Sequence, residues 1–167
     1  MSANNQTHIP VVWKTLAELG EIIGGRGLTK AELLKTGSIG CIHYGQIYTT
    51  YEISTTKTIS FCTEETAEKC IKVFPGDIIF TKVGENKEDI CKPVVWLGKK
   101  PIYTGAGAVV IRPKPECNPL YIAYYSQAQA FRLMVKHGAT STTVTNMSIS
   151  SLKNINIPLP PPKNSRN

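Results

Sequence analysis

The chain has 167 residues, of which 41% are hydrophobic and 19% charged, and its net charge is +7. This length and composition fit one globular domain with a hydrophobic core. No run approaches the roughly 18 to 20 apolar residues that a membrane-spanning helix needs. The first ten residues, MSANNQTHIP, lack the basic start and the apolar segment of a signal peptide. We therefore expect a cytoplasmic protein without a transmembrane segment.

The five cysteines are odd in number and widely spaced, and none belongs to a Cys-x-x-Cys pair. Such spacing encodes neither a disulfide framework nor a zinc site. We therefore expect reduced, mostly buried thiols and no bound metal. The cysteines are Cys41, Cys62, Cys70, Cys91 and Cys117.

The positive charge is concentrated in the second half of the sequence. Residues 1–89 hold 9 Lys and Arg against 11 Asp and Glu, whereas residues 90–167 hold 10 Lys and Arg against the single acid Glu116. A local excess of this kind is typical of a polyanion partner, because neutralised phosphates release condensed counterions. The charge favours nucleic acid as the partner, although a basic protein also arises from solubility alone.

Two capping boxes predict short helices near the N-terminus. Thr15 and Glu18 have the spacing in which each side chain caps the backbone of the other, so a helical turn is expected over TLAEL. Thr29 and Glu32 repeat the pattern and predict a second short helix, KAELLK, which ends at Gly37.

The stretch IGCIHYGQIYTTYEI, residues 39–53, alternates its side chains like a strand. Gly45, in the middle of the stretch, suggests a β-bulge. Tyr44 and Tyr48 are expected on the buried face, because aromatic side chains favour that side of a strand.

The middle of the chain alternates helix and strand signals. Thr63 is expected to cap a helix over EETAEKCIKV, whose early acids and late lysines suit the helix dipole. A turn at residues 75–77, Pro-Gly-Asp, precedes a predicted strand IIFTKV. PVVWL and IYTGAGAVVIRP are predicted as strands on either side of a turn at residues 98–101.

One longer helix is predicted in the C-terminal half. Asn118 has the properties of an N-cap, Pro119 follows at the first helical position, and Gly138 marks the end. The proline run at residues 158–162 cannot be helical. The expected apolar stripe of the helix consists of Leu120, Tyr124, Ala128, Phe131 and Val135.

These elements do not follow a regular βαβ alternation. We therefore expect an α+β fold with a mostly antiparallel, strongly bent β-sheet, several short helices and one longer helix in the C-terminal half.

No group of residues has the pattern of an active site. NPLY, residues 118–121, is similar to the Asn-Pro-Pro-Tyr segment of amino-methyltransferases, but Leu120 replaces the second proline and no glycine-rich loop for S-adenosylmethionine accompanies it. His8, His43 and His137 are far apart in sequence, and neither a GxSxG nor an HExxH motif is present. An enzyme acting alone is not expected.

Six segments follow one another along the chain: WKTLAELGEIIGGRGLTKAEL, GCIHYGQIYTTY, ISFCTEETAEKCIKVFPGDIIFTKVGE, GAGAVVIRPK, PLYIAYY and TVTNMSISSLKNINIPLPPP. Their order resembles that in a target recognition domain of the specificity (S) subunit of type I restriction-modification systems, over nearly the whole chain. Residues 1–160 are accordingly interpreted as one recognition domain, and residues 161–167 as the truncated start of a connector.

The resemblance implies a domain that reads one half of a bipartite DNA target and performs no chemistry of its own. The partners that it implies are double-stranded DNA, methyltransferase subunits that carry S-adenosylmethionine, restriction and translocase subunits, and a second recognition domain or a second copy of the chain. No cofactor is expected on this chain.

By the same resemblance, DNA contacts are expected from the loops and from the end of the longer helix. Lys99 and Lys100 are expected to touch phosphates, which position a domain without reading sequence. The other expected contacts are Arg26, Thr29, Lys30, His43, Gln46, Lys82, Asn86, Lys136 and His137.

Two alternatives remain open. The same fold would serve as a decoy that binds methyltransferase or restriction subunits, with tight subunit binding and weak DNA binding. A nucleic-acid methyltransferase fragment that uses NPLY would instead bind S-adenosylmethionine.

Overall fold

The computed structural model describes residues 10–141 and 144–160, so the predicted connector at residues 161–167 lies outside the described residues. The helices are α1 (Leu16–Leu19), α2 (Tyr44–Thr49), α3 (Glu64–Lys69), α4 (Pro119–Tyr125), α5 (Gln129–Gly138) and α6 (Ile149–Lys153), with a 3-10 turn at Lys30–Glu32. The strands are β1 (Val12–Thr15), β2 (Gly20–Gly24), β3 (Ile39–Ile42), β4 (Ser54–Thr55), β5 (Ser60–Cys62), β6 (Ile71–Val73), β7 (Ile78–Thr81), β8 (Val83–Gly84), β9 (Pro93–Trp96), β10 (Ile102–Thr104), β11 (Ala108–Pro113), β12 (Ala139–Ser141), β13 (Thr145–Met147) and β14 (Asn156–Leu159). Within these ranges, no helix has the length and apolar character needed to cross a membrane.

The central sheet has five strands in the order β2-β11-β7-β9-β4. Neighbours pair antiparallel except β4, which lies parallel to β9 at the edge. Every side chain of β7 is buried. Ile78 and Phe80 face one core and Ile79 faces the other. The uninterrupted apolar run of β7 therefore reflects a sheet that is covered on both faces.

A second sheet has the order β5-β3-β10-β6 and is antiparallel except between β3 and β10. Two smaller antiparallel sheets have the orders β1-β14 and β12-β13-β8. The predicted α+β fold with mostly antiparallel strands is confirmed. In the described residues the strands divide among four sheets.

Two of the three hydrophobic clusters in the described residues cover the two faces of the central sheet. On one face of the central sheet, Phe80 stacks on Phe131 of α5 with the ring centroids 6.3 Å apart. On the other face, Ile42 and Ile102 of the second sheet pack against Ile79 and its neighbours. Full burial of such a side chain contributes about 1.5–3 kcal/mol. The two larger sheets are therefore fixed against each other.

The prediction of a strand over residues 39–53 is wrong beyond β3. His43 and Gln46 cap a helix reciprocally: the Gly45 amide donates to His43 Nδ1 at 3.2 Å, and the His43 amide donates to Gln46 Oε1 at 3.0 Å. The residues that follow form α2, and Gly45 lies in its first turn, not in a bulge. Six helical residues are too few for a periodic pattern to separate helix from strand.

The single helix predicted over residues 118–138 is two helices. It starts as predicted, because Asn118 Oδ1 accepts a hydrogen bond from the Leu120 amide at 2.9 Å. A turn then separates α4 from α5, and there the buried Ser126 hydroxyl donates to a carbonyl of α4 at 2.6 Å. Tyr124 is 63% exposed, so the predicted apolar stripe is interrupted at this position.

Three further predictions differ at element boundaries. The capping box of Thr29 and Glu32 forms but is followed only by a 3-10 turn. The helix does not continue, because the backbone of Leu34 pairs with that of Phe61. α3 ends before the sequence IKV, which forms β6. A turn at residues 105–107 divides the predicted strand IYTGAGAVVIRP into β10 and β11.

Other local predictions are confirmed. Thr15 and Glu18 form the expected capping box at the start of α1. All five cysteines are free, and all except Cys117 are buried. Cys117 is half-buried at the start of α4.

Candidate nucleic-acid interface

Several loops meet at one end of the two larger sheets. β2, β3, β7 and β10 end there, and β11 begins there, as their pairings require. Backbone hydrogen bonds join these loops, because the Gly25 and Lys82 amides donate to carbonyls of segment 105–108 at 2.9 and 2.8 Å. We call the surface formed by residues 25–30, 43–48, 82–89 and the last turn of α5 the candidate interface.

A cluster of aromatic rings lies in the middle of the candidate interface. The Tyr44 ring packs on the turn at Gly107, where φ is +83° and where an added Cβ would lie 2.4 Å from Tyr44 Cδ1. Only glycine fits this position. The ring centroid of Tyr44 lies 4.4 Å from that of His43 and 6.3 Å from that of Tyr48. Tyr44 and Tyr48 are half-buried on a helix, not core residues of a strand.

His43 is held neutral at the edge of this cluster. Burial lowers the pKa of His43, and the positive charge of nearby Lys30 lowers it further. Nδ1 accepts the Gly45 amide, so the ring proton is carried by Nε2. The imidazole therefore offers an N–H donor to a ligand at this surface.

Gln46 and Thr29 have partners within the domain. Besides the cap to His43, Gln46 Nε2 donates to Ser60 Oγ at 2.6 Å. The Thr29 hydroxyl donates to the Glu32 carboxylate at 2.8 Å. The Thr29 amide and hydroxyl together lower the pKa of Glu32. The structure thus uses both predicted contact residues as capping groups.

The loop after β8 is joined to the end of α5. Asn86 Oδ1 accepts the Asp89 amide at 3.0 Å, which closes a turn within the loop. Lys87 Nζ donates to the Lys136 carbonyl at 3.1 Å, which pairs a free carbonyl of the last helical turn. Lys136 and His137 are exposed beside it.

Nine of the predicted contact residues share this end of the domain. They are Arg26, Thr29, Lys30, His43, Gln46, Lys82, Asn86, Lys136 and His137. The structure does not bring Lys99 and Lys100 to them. These two lysines lie in the turn after β9, at the opposite end, where the Trp96 amide donates to the Asp77 carbonyl at 3.0 Å.

The basic second half of the sequence is not one basic surface. Arg112 is paired with buried Asp77 at the end of the central sheet opposite to the candidate interface. Arg132 donates to backbone carbonyls and is half-buried. The cations of the candidate interface come from both halves of the chain, and they include Lys30 and Lys82 from the acidic first half.

Sequence reasoning missed Arg132. Its carbonyl partners lie 41 to 45 positions earlier in the chain, so no local motif indicates the contact.

Among the described residues, no group of three or more His, Cys, Asp and Glu side chains could hold a metal ion. In the NPLY segment, Asn118 uses its side-chain oxygen to cap α4, accepting the Leu120 and Tyr121 amides. The segment therefore behaves as a helix start.

The sequence matches the family described as type I restriction modification DNA specificity domain over residues 10–166. The chain is similar to the S subunit of the type I restriction-modification system from M. genitalium, with 22% identity and a TM-score of 0.58, over 95% of this chain and 36% of that one. It is also similar to the HsdS subunit from Thermoanaerobacter tengcongensis, with 17% identity and a TM-score of 0.62, over 95% of this chain and 35% of that one.

A third solved structure concerns complex assembly and conformational transition of the type I R-M system. Its identity to this chain is 17% and the TM-score is 0.65, over 95% of this chain and 36% of that one. The chain thus spans about a third of the length of each of these three. No curated protein matches it. At these identities the structures show a shared fold, and the sequence match over nearly the whole chain places this protein in the type I restriction-modification DNA specificity domain family.

Proposed function

We propose that this domain reads one half of a bipartite DNA target through the candidate interface and that it carries out no chemistry itself. The observation that carries the proposal is the convergence of basic and polar loops at one end of two rigid sheets. Membership of the DNA specificity domain family supports it. Loops held on a rigid scaffold are the usual carriers of recognition.

The side chains at this end suit both kinds of DNA contact. Exposed Lys30 and Lys136 and half-buried Lys82 provide positive charge for phosphates, which fixes position and gives salt-dependent affinity. The Nε2–H of neutral His43 is a donor for the acceptor atoms of base edges in the major groove. Asn86 is exposed beside them, and within the described part of the chain its amide N–H groups have no acceptor, so they are available to DNA.

We also propose the partners that the resemblance implies. A bipartite target needs two readers, and the chain spans about a third of the solved S subunits, which leaves room in such a subunit for a second domain of this kind. S-adenosylmethionine is proposed to bind to the methyltransferase subunit, and restriction and translocase subunits are proposed to join the assembly. The structure described for assembly of a type I system supports this arrangement by its similar fold.

Selection from a random duplex library tests the proposal. The purified chain, alone and with its methyltransferase subunits, is incubated with the library at low and at physiological salt, and the bound duplexes are sequenced. We expect one short motif to be enriched. A variant with alanine at Lys30, Lys82 and Lys136 should lose the enrichment, whereas Lys57→Ala, outside the candidate interface, should keep it. The absence of any motif with the subunits present would show that the proposal is wrong.

A further inference from the structure

The backbone of the loop at residues 85–91 is held from outside by Arg132 of α5. The guanidinium Nη1 donates to the Ile90 carbonyl at 2.8 Å and to the Cys91 carbonyl at 3.5 Å. Nη2 donates to the Lys87 and Glu88 carbonyls, both at 3.1 Å. One side chain thus binds the backbone carbonyls of four of the five residues 87–91. The planar, forked guanidinium makes this geometry possible.

Thr81, the last residue of β7, holds the same loop from the other side. Its hydroxyl donates to the Asp89 carbonyl and accepts the Lys92 amide, the latter at 3.0 Å. The Thr81 carbonyl also accepts the amide of Cys91, a buried residue with a φ of +56°. Because these contacts go to the backbone, they do not depend on which side chains the loop carries at positions 85 and 88.

Glu85 and Glu88 are the exposed acids of this fixed loop. Within the described residues, neither carboxylate has a hydrogen-bond or ion-pair partner. The two differ in what they face. Glu88 lines a shallow depression with Gln129 and Leu133 of α5. Glu85 directly follows β8, which pairs with β13. Burial raises the pKa of Tyr48, and the charges of Tyr44, Asp89 and Glu85 raise it further.

A free carboxylate at a DNA-binding surface can accept a hydrogen bond from an exposed amino group of a base, and its usual partner is cytosine. Phosphates repel it, whereas the amino group of cytosine N4 in the major groove donates to it. We propose that Glu85 is a specificity-determining residue that accepts the amino group of a cytosine, and that Arg132 is the positioning residue that fixes the loop for this contact. The inference rests on the proposed DNA-reading function and deepens it.

The experiment uses the chain assembled with its methyltransferase subunits and the random duplex selection, and compares base preferences position by position. Glu85→Gln should lose preference for cytosine at one position, by about five- to a hundredfold, and should gain preference for adenine there, since glutamine reads adenine. Glu116→Gln, which removes the same charge from an exposed acid after β11 and outside the candidate interface, should change no position. Glu88→Gln, on the same loop as Glu85, should not reproduce the change from cytosine to adenine.

Arg132→Lys should weaken preference at the same position as Glu85→Gln and at any position that Asn86 of the same loop reads, and it should leave the positions read by other loops unchanged. Arg112→Lys is its matched control, because it removes an equally well-bonded arginine from the opposite end of the domain. If Arg132 only stabilised the fold, Arg132→Lys would weaken preference at all base positions alike. If Arg132→Lys does not fold, amide hydrogen exchange of residues 85–91 in Arg132→Gln decides whether the loop is released.

The outcomes separate the inference from the proposed function. A wild-type chain that enriches no motif contradicts the proposed function. A wild-type motif without cytosine, a Glu85→Gln variant with every position unchanged, or an equal effect of Glu88→Gln would overturn the role of Glu85. An Arg132→Lys variant that keeps its preference at the position read by Glu85, or unchanged exchange in Arg132→Gln, would overturn the positioning role.

Discussion

The Arg112 guanidinium, which is partly exposed, and the buried Asp77 carboxylate form an ion pair at the end of the central sheet opposite to the candidate interface. Nη2 of Arg112 lies 2.9 Å from Oδ2 of Asp77, and Nε lies 3.1 Å from Oδ1. Asp77 is only 2% exposed, and its carboxylate also accepts the Phe74 amide at 2.8 Å, which closes the turn before β7. This pair therefore stabilises the fold at a place away from the candidate interface.

Replacing Asp77 by alanine should destabilise the domain without changing its DNA preference. Loss of one partner of a buried pair costs about 3–5 kcal/mol, and the low end is expected because the Arg112 side chain is 34% exposed. The midpoint of urea unfolding measures the change. The control is Glu65→Ala, whose pair with Lys69 is exposed to solvent and should contribute far less. Equal effects of the two substitutions would contradict the prediction.

Gln46→Ala should lower stability, because Gln46 both caps α2 and bonds Ser60. A lost cap and a lost side-chain hydrogen bond together cost about 1–2 kcal/mol. Gln46→Glu keeps the acceptor for the His43 amide and should cost less. Chemical denaturation of both variants provides the measurement.

The contact of Gln46 with a base stays a prediction, and the same variants test it. If the side chain also reads a base, alanine relaxes preference at one position in the duplex selection. A variant that unfolds more easily but keeps every base preference would show that Gln46 only supports the helix.

Local chemistry allowed part of the fold to be predicted. The capping box of Thr15 and Glu18 and the cap at Asn118 were predictable because each joins groups within three residues. The strand β7 was predictable because a short apolar run directly after a Pro-Gly-Asp turn is typical of a buried strand. α2 was not predictable from periodicity, because its cap uses the uncommon pair His43 and Gln46.

The candidate interface was only partly predictable, because its geometry depends on contacts between distant parts of the chain. The resemblance pointed to loops that do meet, such as those of Lys30 and Asn86. It also pointed to Lys99 and Lys100, whose position at the opposite end follows from the antiparallel course of β7 and β9. The role of Arg132 depends on the packing of α5 against a loop more than 40 residues away, and no sequence pattern encodes that distance.

Stability should fall on mild acidification because of His43. Its pKa in the folded chain is lowered from the ordinary value of 6.5. Between these two pKa values the unfolded chain binds more protons, so the free energy of unfolding rises with pH there. The contribution of neutral His43 is therefore complete above pH 6.5 and is lost as the pH falls through the folded pKa.

The variant His43→Asn tests this, because asparagine caps helices well and does not titrate. Urea midpoints are measured between about pH 7.5 and 5.5, above the range in which most carboxylates titrate. The wild type should lose more stability over this range than the variant. Parallel curves would exclude His43 as the source.

Cys117 should be the first thiol to react with iodoacetamide in the folded protein. Burial raises the pKa of Cys70 to about 11 and of Cys91 to about 12, and raises those of Cys41 and Cys62 as well. Burial raises the pKa of Cys117 too, but this thiol is only half-buried and is therefore open to the reagent. The four buried thiols should stay unlabelled until unfolding, because the thiolate is the reactive form and the reagent does not reach them. Peptide mass spectrometry after timed labelling measures the order, and Cys117→Ser should abolish the early product. Earlier labelling of any buried cysteine would contradict the structure.

Lysines at the two ends of the domain should differ in their effect on the salt dependence of DNA binding. Each phosphate contact that is removed reduces the slope of log K against log salt by about 1. On a short duplex that carries only the half-site, Lys82→Ala should reduce the slope, and alanine at both Lys99 and Lys100 should not, since these two lie at the opposite end of the sheets.

The expectation that Lys99 and Lys100 touch phosphates stays a prediction, and a longer duplex tests it. If DNA outside the half-site reaches their end of the domain in the assembled complex, the double variant reduces the slope on the long duplex alone. If the double variant reduces the salt slope on the short duplex, the half-site binds at the end that carries Lys99 and Lys100, and the candidate interface is not the reading surface. One short half-site cannot lie against both ends of a rigid domain. If the double variant leaves the salt slope unchanged on both duplexes, these two lysines do not contact DNA. The positive charge of the candidate interface then positions the domain.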